Sequence, residues 1–257
     1  MPIQPSPKNS RRPDQTKGLR LDVRLLHDAN YFVYPVRAIT VINCDPEARY
    51  TDVPLHRQPI GRRGHDVVLS GTYRRLMPEQ GGIVPMGAVM RNGGLDTAGA
   101  RAAAARGAMA TLRDGTIVIG RASGSTLEAI QDQFGQPKNP VVQFMGGGGL
   151  LIEEGRRVSQ QDLLLSQRFH GKPGGFQASQ MQVGQHAILG IRKGQCFAIA
   201  AFNKNARSIQ DDLFQSGFGS VVKFSRGGSF FLNDGKHRVD GRNNVGFGLK
   251  LQRDPDP

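Results

Sequence analysis

The sequence predicts an α+β fold: a single β-rich domain of mixed and antiparallel strands and hairpins, with a few short helices. Three observations carry this expectation. Four apolar segments are each broken by a turn pair, namely Asp114-Gly115, Glu154-Gly155, Lys193-Gly194 and Asp234-Gly235. Glycine adopts the positive φ that a tight reversal needs, so each pair, set between β-branched and aromatic runs, reads as a hairpin. The 257 residues include 34 glycines and no tryptophan, a composition suited to a sheet with many turns and poorly suited to long helices. Lastly, only two segments carry a clear helical period.

The elements follow in order. Residues 1–18 hold prolines and basic groups with almost nothing to bury, and read as a disordered basic leader. The folded domain is expected over 19–252, followed by a short acidic tail at 253–257. It opens with LRLDVRLL, where apolar and polar residues alternate. YFVYPVRAITVIN continues as a strand, with Pro35 demoting its first half to an edge or a bulge. HDVVLSGTY is a short strand that runs into turns marked by Pro78, Gly81, Gly82 and Pro85. AGARAAAARGAMATL admits a helical start and a strand finish broken at Gly107, and propensity does not choose between them. TLEAIQDQF places Leu127, Ile130 and Phe134 on one helical face and closes at Gly135. SIQDDLFQSG is expected to begin at Ser208 as N-cap, with Asp211 at the capping-box position, and to stop at Gly217.

Charge bounds the partners. A formal net charge of +13 favours anionic molecules, whether a small anionic or sugar-phosphate substrate or, nonspecifically, a polyanion such as nucleic acid. With 7% aromatic residues and no helix-turn-helix, zinc finger or aromatic RNP signature, a dedicated nucleic-acid reader is not indicated. Cys44 and Cys196 are the two cysteines; each sits in an apolar run and reads as a small hydrophobe. No apolar stretch follows the basic N-terminus as in a secretory signal, and no segment reaches roughly 18 uninterrupted apolar residues. The expected location is cytoplasmic. The run Gly146 to Gly149 is followed by a strand and by no Gly-Lys-Ser/Thr, so it is neither a phosphate loop nor a dinucleotide fingerprint. No metal-ligand spacing is present either, and no cofactor is expected.

The segment SRGGSFFLNDGKHRV concentrates the chemistry. Its Gly227-Gly228-Ser229 loop leads towards a strand, and exposed amides on such a loop can hold an anion or a developing oxyanion. The order of glycine-marked segments then becomes informative. HDVVLSGTY with IVPMGAVMRNGG, FMGGGGLLIEEGRRV, VGQHAILGIRKGQCFAIAAF, and DDLFQSGFGSVVKFSRGGSFFLNDGK appear in turn. This succession resembles the phosphodiester glycosidase family, related to the enzyme that uncovers mannose 6-phosphate by removing N-acetylglucosamine. The resemblance spans roughly residues 35–251. It implies a hydrolase cleaving a sugar-phosphate diester or a related glycoside.

The departures from the family pattern are specific. Ser70 stands where the family has a strand-end asparagine, and Arg74 replaces its second aromatic residue. Gln185-His186 replaces an Arg-Thr pair, and Ser225 and Arg226 replace an aspartate and a glycine. A loop carboxylate is thereby lost and positive charge gained, which opens the alternative of a catalytically degenerate member that binds an anionic glycan or nucleic acid through its basic cleft. The candidate catalytic residues are His186, as the proton carrier, and Ser229, whose amide joins the anion-binding loop. The expected substrate-binding residues are Ser70, Gly71, Thr72, Ser225, Arg226, Gly227 and Gly228, with the Arg226 guanidinium suited to phosphate. His65, Asp66 and His170 are weaker candidates, and Asp234 and His237 are assigned to their turn.

Overall fold

The computed structural model describes residues 28–43, 61–62, 64–72, 74–77, 82–99, 106–159, 161–162, 183–226, 229–241 and 245–252. The basic leader, the acidic tail, LRLDVRLL, Cys44 and His170 lie outside these residues. The strands are β1 (Tyr31–Asn43), β2 (Val67–Ser70), β3 (Arg74–Met77), β4 (Gly82–Pro85), β5 (Val89–Arg91), β6 (Gly94–Thr97), β7 (Arg106–Leu112), β8 (Ile117–Ala122), β9 (Val141–Glu153), β10 (Arg156–Arg157), β11 (Gly184–Arg192), β12 (Gln195–Lys204), β13 (Ser220–Arg226), β14 (Leu232–Asn233), β15 (Arg238–Val239) and β16 (Val245–Leu251). Two helices, α1 (Leu127–Phe134) and α2 (Ala206–Gln215), complete the described elements.

Fourteen strands join one sheet, whose main path runs β15-β14-β2-β16-β1-β12-β11-β13-β9-β5-β6; β7 and β10 branch from β9, and β8 pairs with β7. Every described ladder is antiparallel. The fold is thus a mostly antiparallel β fold, and the expectation of an α+β fold with mixed strands is corrected. Two short helices stand against sixteen strands among the described residues. The alanine-rich stretch, left open by propensity, finishes as a strand: Arg106–Leu112 is buried along its whole length, and Gly107 lies inside it without breaking it. Tertiary packing overrides the helical preference of alanine here, because Ala108 and Ala110 sit fully buried between neighbouring strands. β9 is also buried on both faces, which gives near-continuous apolar runs in place of strict alternation.

The hairpins form at the glycine pairs. Glu154-Gly155 and Lys193-Gly194 have φ of 49° and 74°, and of 49° and 76°, the two positive values of a type I′ turn. Their strands pair up to the turn, as Glu153 with Arg156 and Arg192 with Gln195. Pro35 sits where β1 changes neighbour. Tyr31 to Val36 pair with β12, and Val36 to Asn43 pair with β16 after a register shift. The segment around the proline is therefore flanked by a registered partner on one side, where a missing N–H is tolerated.

The helices cap as their sequences allow, with one correction. Thr126 accepts from the Ala129 amide at 3.2 Å to start α1, and Gly135 closes it. In α2 the N-cap is Asn205 and not Ser208; Ser208 occupies the third helical position of a reciprocal capping box. The end is a Schellman motif: Gly217 at φ 78° donates to the Phe214 carbonyl, and Phe218 donates to that of Leu213.

β9 is the fork of the sheet. Its first half pairs with β5 through Phe144 and Met145, and its second half with β13 through Gly149, Leu150 and Ile152. β7 follows its other side from Val141 to Gly148. The changeover falls on Gly146–Gly148, where the backbone of Gly87 crosses in contact. A Cβ on Gly87 would lie 2.2 Å from the Gly146 carbonyl carbon, and one on Gly147, at φ 84°, would lie 2.5 Å from the Gly87 nitrogen. Gly87→Ala is expected to destabilise the protein by about 2 kcal/mol or more, since backbone must move. Gly94→Ala, whose Cβ would meet only the Arg91 carbonyl at 3.6 Å, is the control in the same urea titration.

Candidate functional site

The fork places the end of β2 against the end of β13. Ser70 and Ser225 are both fully buried, and their hydroxyls hydrogen-bond to one another across strands that are not neighbours in the sheet. The stretch after β2 is fixed by main-chain bonds: Ser70 donates to the Phe231 carbonyl at 3.1 Å, and Gly71 to that of Val245 at 2.9 Å. Thr72 donates its amide to Met145 Sδ at 3.1 Å, and its hydroxyl lies where a Cβ on Gly147 would come within 2.6 Å. Thr72 is therefore seated on the glycine fork, with Gly71 against Met145 just before it.

His186 lies at the start of β11, fully buried, in register with Arg226 on one side and Ala201 on the other. Its Nε2 is 2.8 Å from the Lys204 carbonyl. A carbonyl oxygen only accepts, so Nε2 carries the proton and the lone pair of the neutral ring sits on Nδ1. Lys204 is itself held. Its Nζ lies 2.7 Å from Asp28 Oδ2 and 3.2 Å from Asp212 Oδ2, and 5.2 Å from the centre of the Tyr31 ring, whose hydroxyl donates to Asp212 at 2.6 Å. The Asp28 hydrogen bond raises the Lys204 pKa above its ordinary value, and burial raises that of Tyr31. This ion-pair group anchors the carbonyl that sets the imidazole.

Ser229 is half-buried where the chain turns towards β14, and Phe230 beside it is buried. The Arg226 backbone belongs to β13, while its side chain and Gly227 and Gly228 lie outside the described residues. Ser70 and Ser225 are thus brought into contact, His186 is registered beside Arg226, and Gly71 and Thr72 meet the fork. His65 and Asp66 belong elsewhere. They precede β2 at its other end, where Asp66 accepts from the Leu251 amide at 2.9 Å and burial lowers the His65 pKa. Two buried cations were not singled out from the sequence: Lys223, fully buried in β13, and Arg106, 5% exposed at the start of β7. The signal for Lys223 was available, as a charge set inside the apolar run SVVKFS.

Asp234 and His237 serve their hairpin, as expected. Burial pushes the Asp234 pKa up, but the His237 amide and ring, the Tyr34 hydroxyl and the Lys236 amide outweigh it and hold the carboxyl at about 2. Tyr34 donates to Asp234 at 2.7 Å and so ties the hairpin to β1. Cys196 is buried, which pushes its thiol up to about 12.

No protein-family model matches the chain, and no curated protein matches it. Among solved structures it is similar to the catalytic domain of zebrafish N-acetylglucosamine-1-phosphodiester alpha-N-acetylglucosaminidase, auto-inhibited by its pro-peptide. The TM-score is 0.59 at 14% identity, over 87% of this chain and 83% of that one. It is also similar to a Burkholderia pseudomallei protein described as a candidate exported protein, with TM-score 0.59 at 9% identity, over 83% of this chain and 71% of that one. At these identities the likeness shows a common fold, a structural relationship and not family membership. No described helix is long and apolar enough to cross a membrane.

The depressed Asp234 pKa fixes a pH dependence. A carboxyl ionised more readily in the folded chain stabilises it above the ordinary value of 3.8, and that contribution is lost as pH falls towards about 2. Asp234→Asn is expected to be less stable than the unmodified protein at neutral pH, with the gap closing between those two values. Urea unfolding at a series of pH values measures it.

Proposed function

We propose that the protein is a hydrolase of the phosphodiester glycosidase kind, acting on a sugar-phosphate diester or a related glycoside where β2, β9, β11 and β13 meet. The observation that carries this reading is the Ser70–Ser225 hydrogen bond, which unites two segments on which the family resemblance places substrate contacts. The fold shared with a glycosidase whose name specifies a phosphodiester supports it. In this reading Arg226 and the Gly227 and Gly228 amides take the phosphate oxygens, and Ser70, Gly71, Thr72 and Ser225 line the bound group. His186 accepts a proton from the attacking water through Nδ1, with Nε2 held by Lys204. Ser229, at the end of the glycine loop, donates to the leaving oxygen.

Replacement of the family's loop aspartate by Ser225 has a chemical counterpart. Cleavage of a glycosyl phosphodiester at the sugar carbon–oxygen bond releases a phosphate ester, a weak base that departs without a strong proton donor. An ordinary alkyl glycoside releases an alkoxide and needs one, commonly a carboxylic acid. Activity is therefore expected on aryl glycosyl phosphodiesters and to be weak or absent on alkyl glycosides. The same replacement favours the second reading, a non-hydrolytic binder of an anionic glycan or nucleic acid.

Steady-state hydrolysis of aryl glycosyl phosphodiesters and p-nitrophenyl glycosides separates the two. Ser225→Ala is expected to lower kcat/KM by about tenfold or more, and His186→Gln by about a hundredfold or more, with the fold retained by circular dichroism. Absence of turnover on the whole panel by the unmodified protein would leave the binding reading.

A further inference from the structure

Away from the candidate site, the strands end in a row of exposed positive charge. Val36, Cys196, Ile191 and Ser220 pair in one line across β1, β12, β11 and β13. Gly219 extends the line to the β9–β10 turn. Its amide donates to the Ile191 carbonyl at 2.9 Å, and its carbonyl accepts from the Gly155 amide at 2.8 Å. Arg37, Arg192 and Lys193 stand at this level, with Arg156 just past the turn. Arg37 is the residue skipped where the β1–β16 register shifts between Val36 and Ala38, and such a bulge re-aims a side chain. It is exposed, as are Lys193 and Arg156. From β1 to β10 the row spans five strand spacings, about 24 Å. Arg192 is six residues along β11 from His186, which puts the row about 20 Å from the candidate site.

None of these four cations has an ion-pair partner among the described residues. Nearby acids are engaged by other arginines: Arg121 takes Glu153 at 2.9 Å, and Arg157 takes Asp211 at 3.1 Å. Glu154, at the turn, offsets one of the four charges. Like charges set in a row repel, and an anionic polymer laid along them relieves the repulsion while releasing its own counterions. An aromatic platform lies beside the row. Phe214, 37% exposed, is in the last turn of α2, and the Arg157 guanidinium lies 4.5 Å over its ring. The end of that helix reaches the row, because a Cβ on Gly217 would lie 3.8 Å from Arg192 Nε. An aromatic ring backed by a guanidinium offers its other face to a base, and bases are free to stack on protein in a single strand. From this arrangement we propose that Arg37, Arg156, Arg192 and Lys193, with Phe214, form a binding surface for single-stranded nucleic acid. The four cations take its phosphates, and Phe214 takes one base. The surface is separate from the cleft, so it goes beyond both readings given above and rests on neither.

The test is fluorescence anisotropy of a labelled thymidine oligonucleotide, about 15 nucleotides long, titrated with the full chain over a series of salt concentrations. Alanine at Arg37, Arg156, Arg192 and Lys193 together is expected to reduce the slope of log affinity against log salt by about 3, at about 0.7 for each lost phosphate contact. Phe214→Ala is expected to weaken binding by about tenfold with the slope unchanged. Alanine at Arg113, Lys138, Arg207 and Lys236, exposed cations away from the row, removes the same charge and is expected to change the slope by less than about 1. Ser225→Ala, in the candidate site, is expected to leave the affinity unchanged. Thermal melts check each fold. If the fourfold row variant does not fold, the threefold variant that keeps the half-buried Arg192 decides, with an expected slope change of about 2. No binding by the unmodified protein overturns the surface. So does an equal loss of slope in the two fourfold variants, which would assign the attraction to the overall charge of +13. Unchanged affinity in Phe214→Ala overturns the single-strand assignment, and loss of binding in Ser225→Ala moves the ligand to the cleft and overturns the row. Binding to phosphatidylserine vesicles through the four cations, without oligonucleotide binding, assigns a membrane surface and overturns the proposal. Absence of hydrolysis sinks the hydrolase reading and leaves the row standing.

Discussion

The close approach of Gly87 to the Gly146–Gly148 backbone is the contact on which the rest of the molecule depends. Two main chains can touch there because neither carries a Cβ at the crossing. That contact lets β9 exchange β5 for β13 as a neighbour halfway along its length. It thereby divides one long ladder into two directions, and the end of β2 settles at the division. Ser70 reaches Ser225, and Thr72 reaches the glycine backbone, as consequences of that geometry. The candidate site is where the sheet splits, so its precision derives from main-chain packing more than from any one side chain.

How much of this was legible depended on whether the governing interaction was local. β1 runs from Tyr31 to Asn43, the span read as a strand, because its apolar pattern and Pro35 both act through neighbouring residues. The glycine turn pairs were readable for the same reason: φ is a property of one residue and its immediate neighbours. The α2 cap was misread because Ser208 and Asn205 are both capping types three residues apart, and each plays a part in a box that only the backbone trace assigns. The alanine-rich segment stayed undecided for a different reason, since its strand state depends on what packs against Ala108 and Ala110 from distant parts of the chain.

The geometry of the candidate site was half legible. Glycine motifs pointed to Ser70, Gly71, Thr72 and Ser225, but nothing local couples Ser70 to a partner 155 positions away. Lys223 and Arg106 were missed because each reads alone as one basic residue among 34. Their burial is decided by the pairing of β7, β9 and β13, which no single segment encodes. Chemistry that needs several strands at one level is written in pairing, and pairing is the property least visible along a linear chain.

The bond between His186 and the Lys204 carbonyl has a consequence for how this protein tolerates change over generations. An acceptor on the main chain is present whatever side chain occupies position 204. A substitution there keeps the acceptor itself and gives up the pairs with Asp28 and Asp212 that hold it in place, so the partner of the imidazole persists only where the path of the backbone survives that loss. Positions that look variable among descendants of such a protein can therefore conceal a preserved device. Heredity there acts first on the route of the chain, and on the letters only as far as they hold that route.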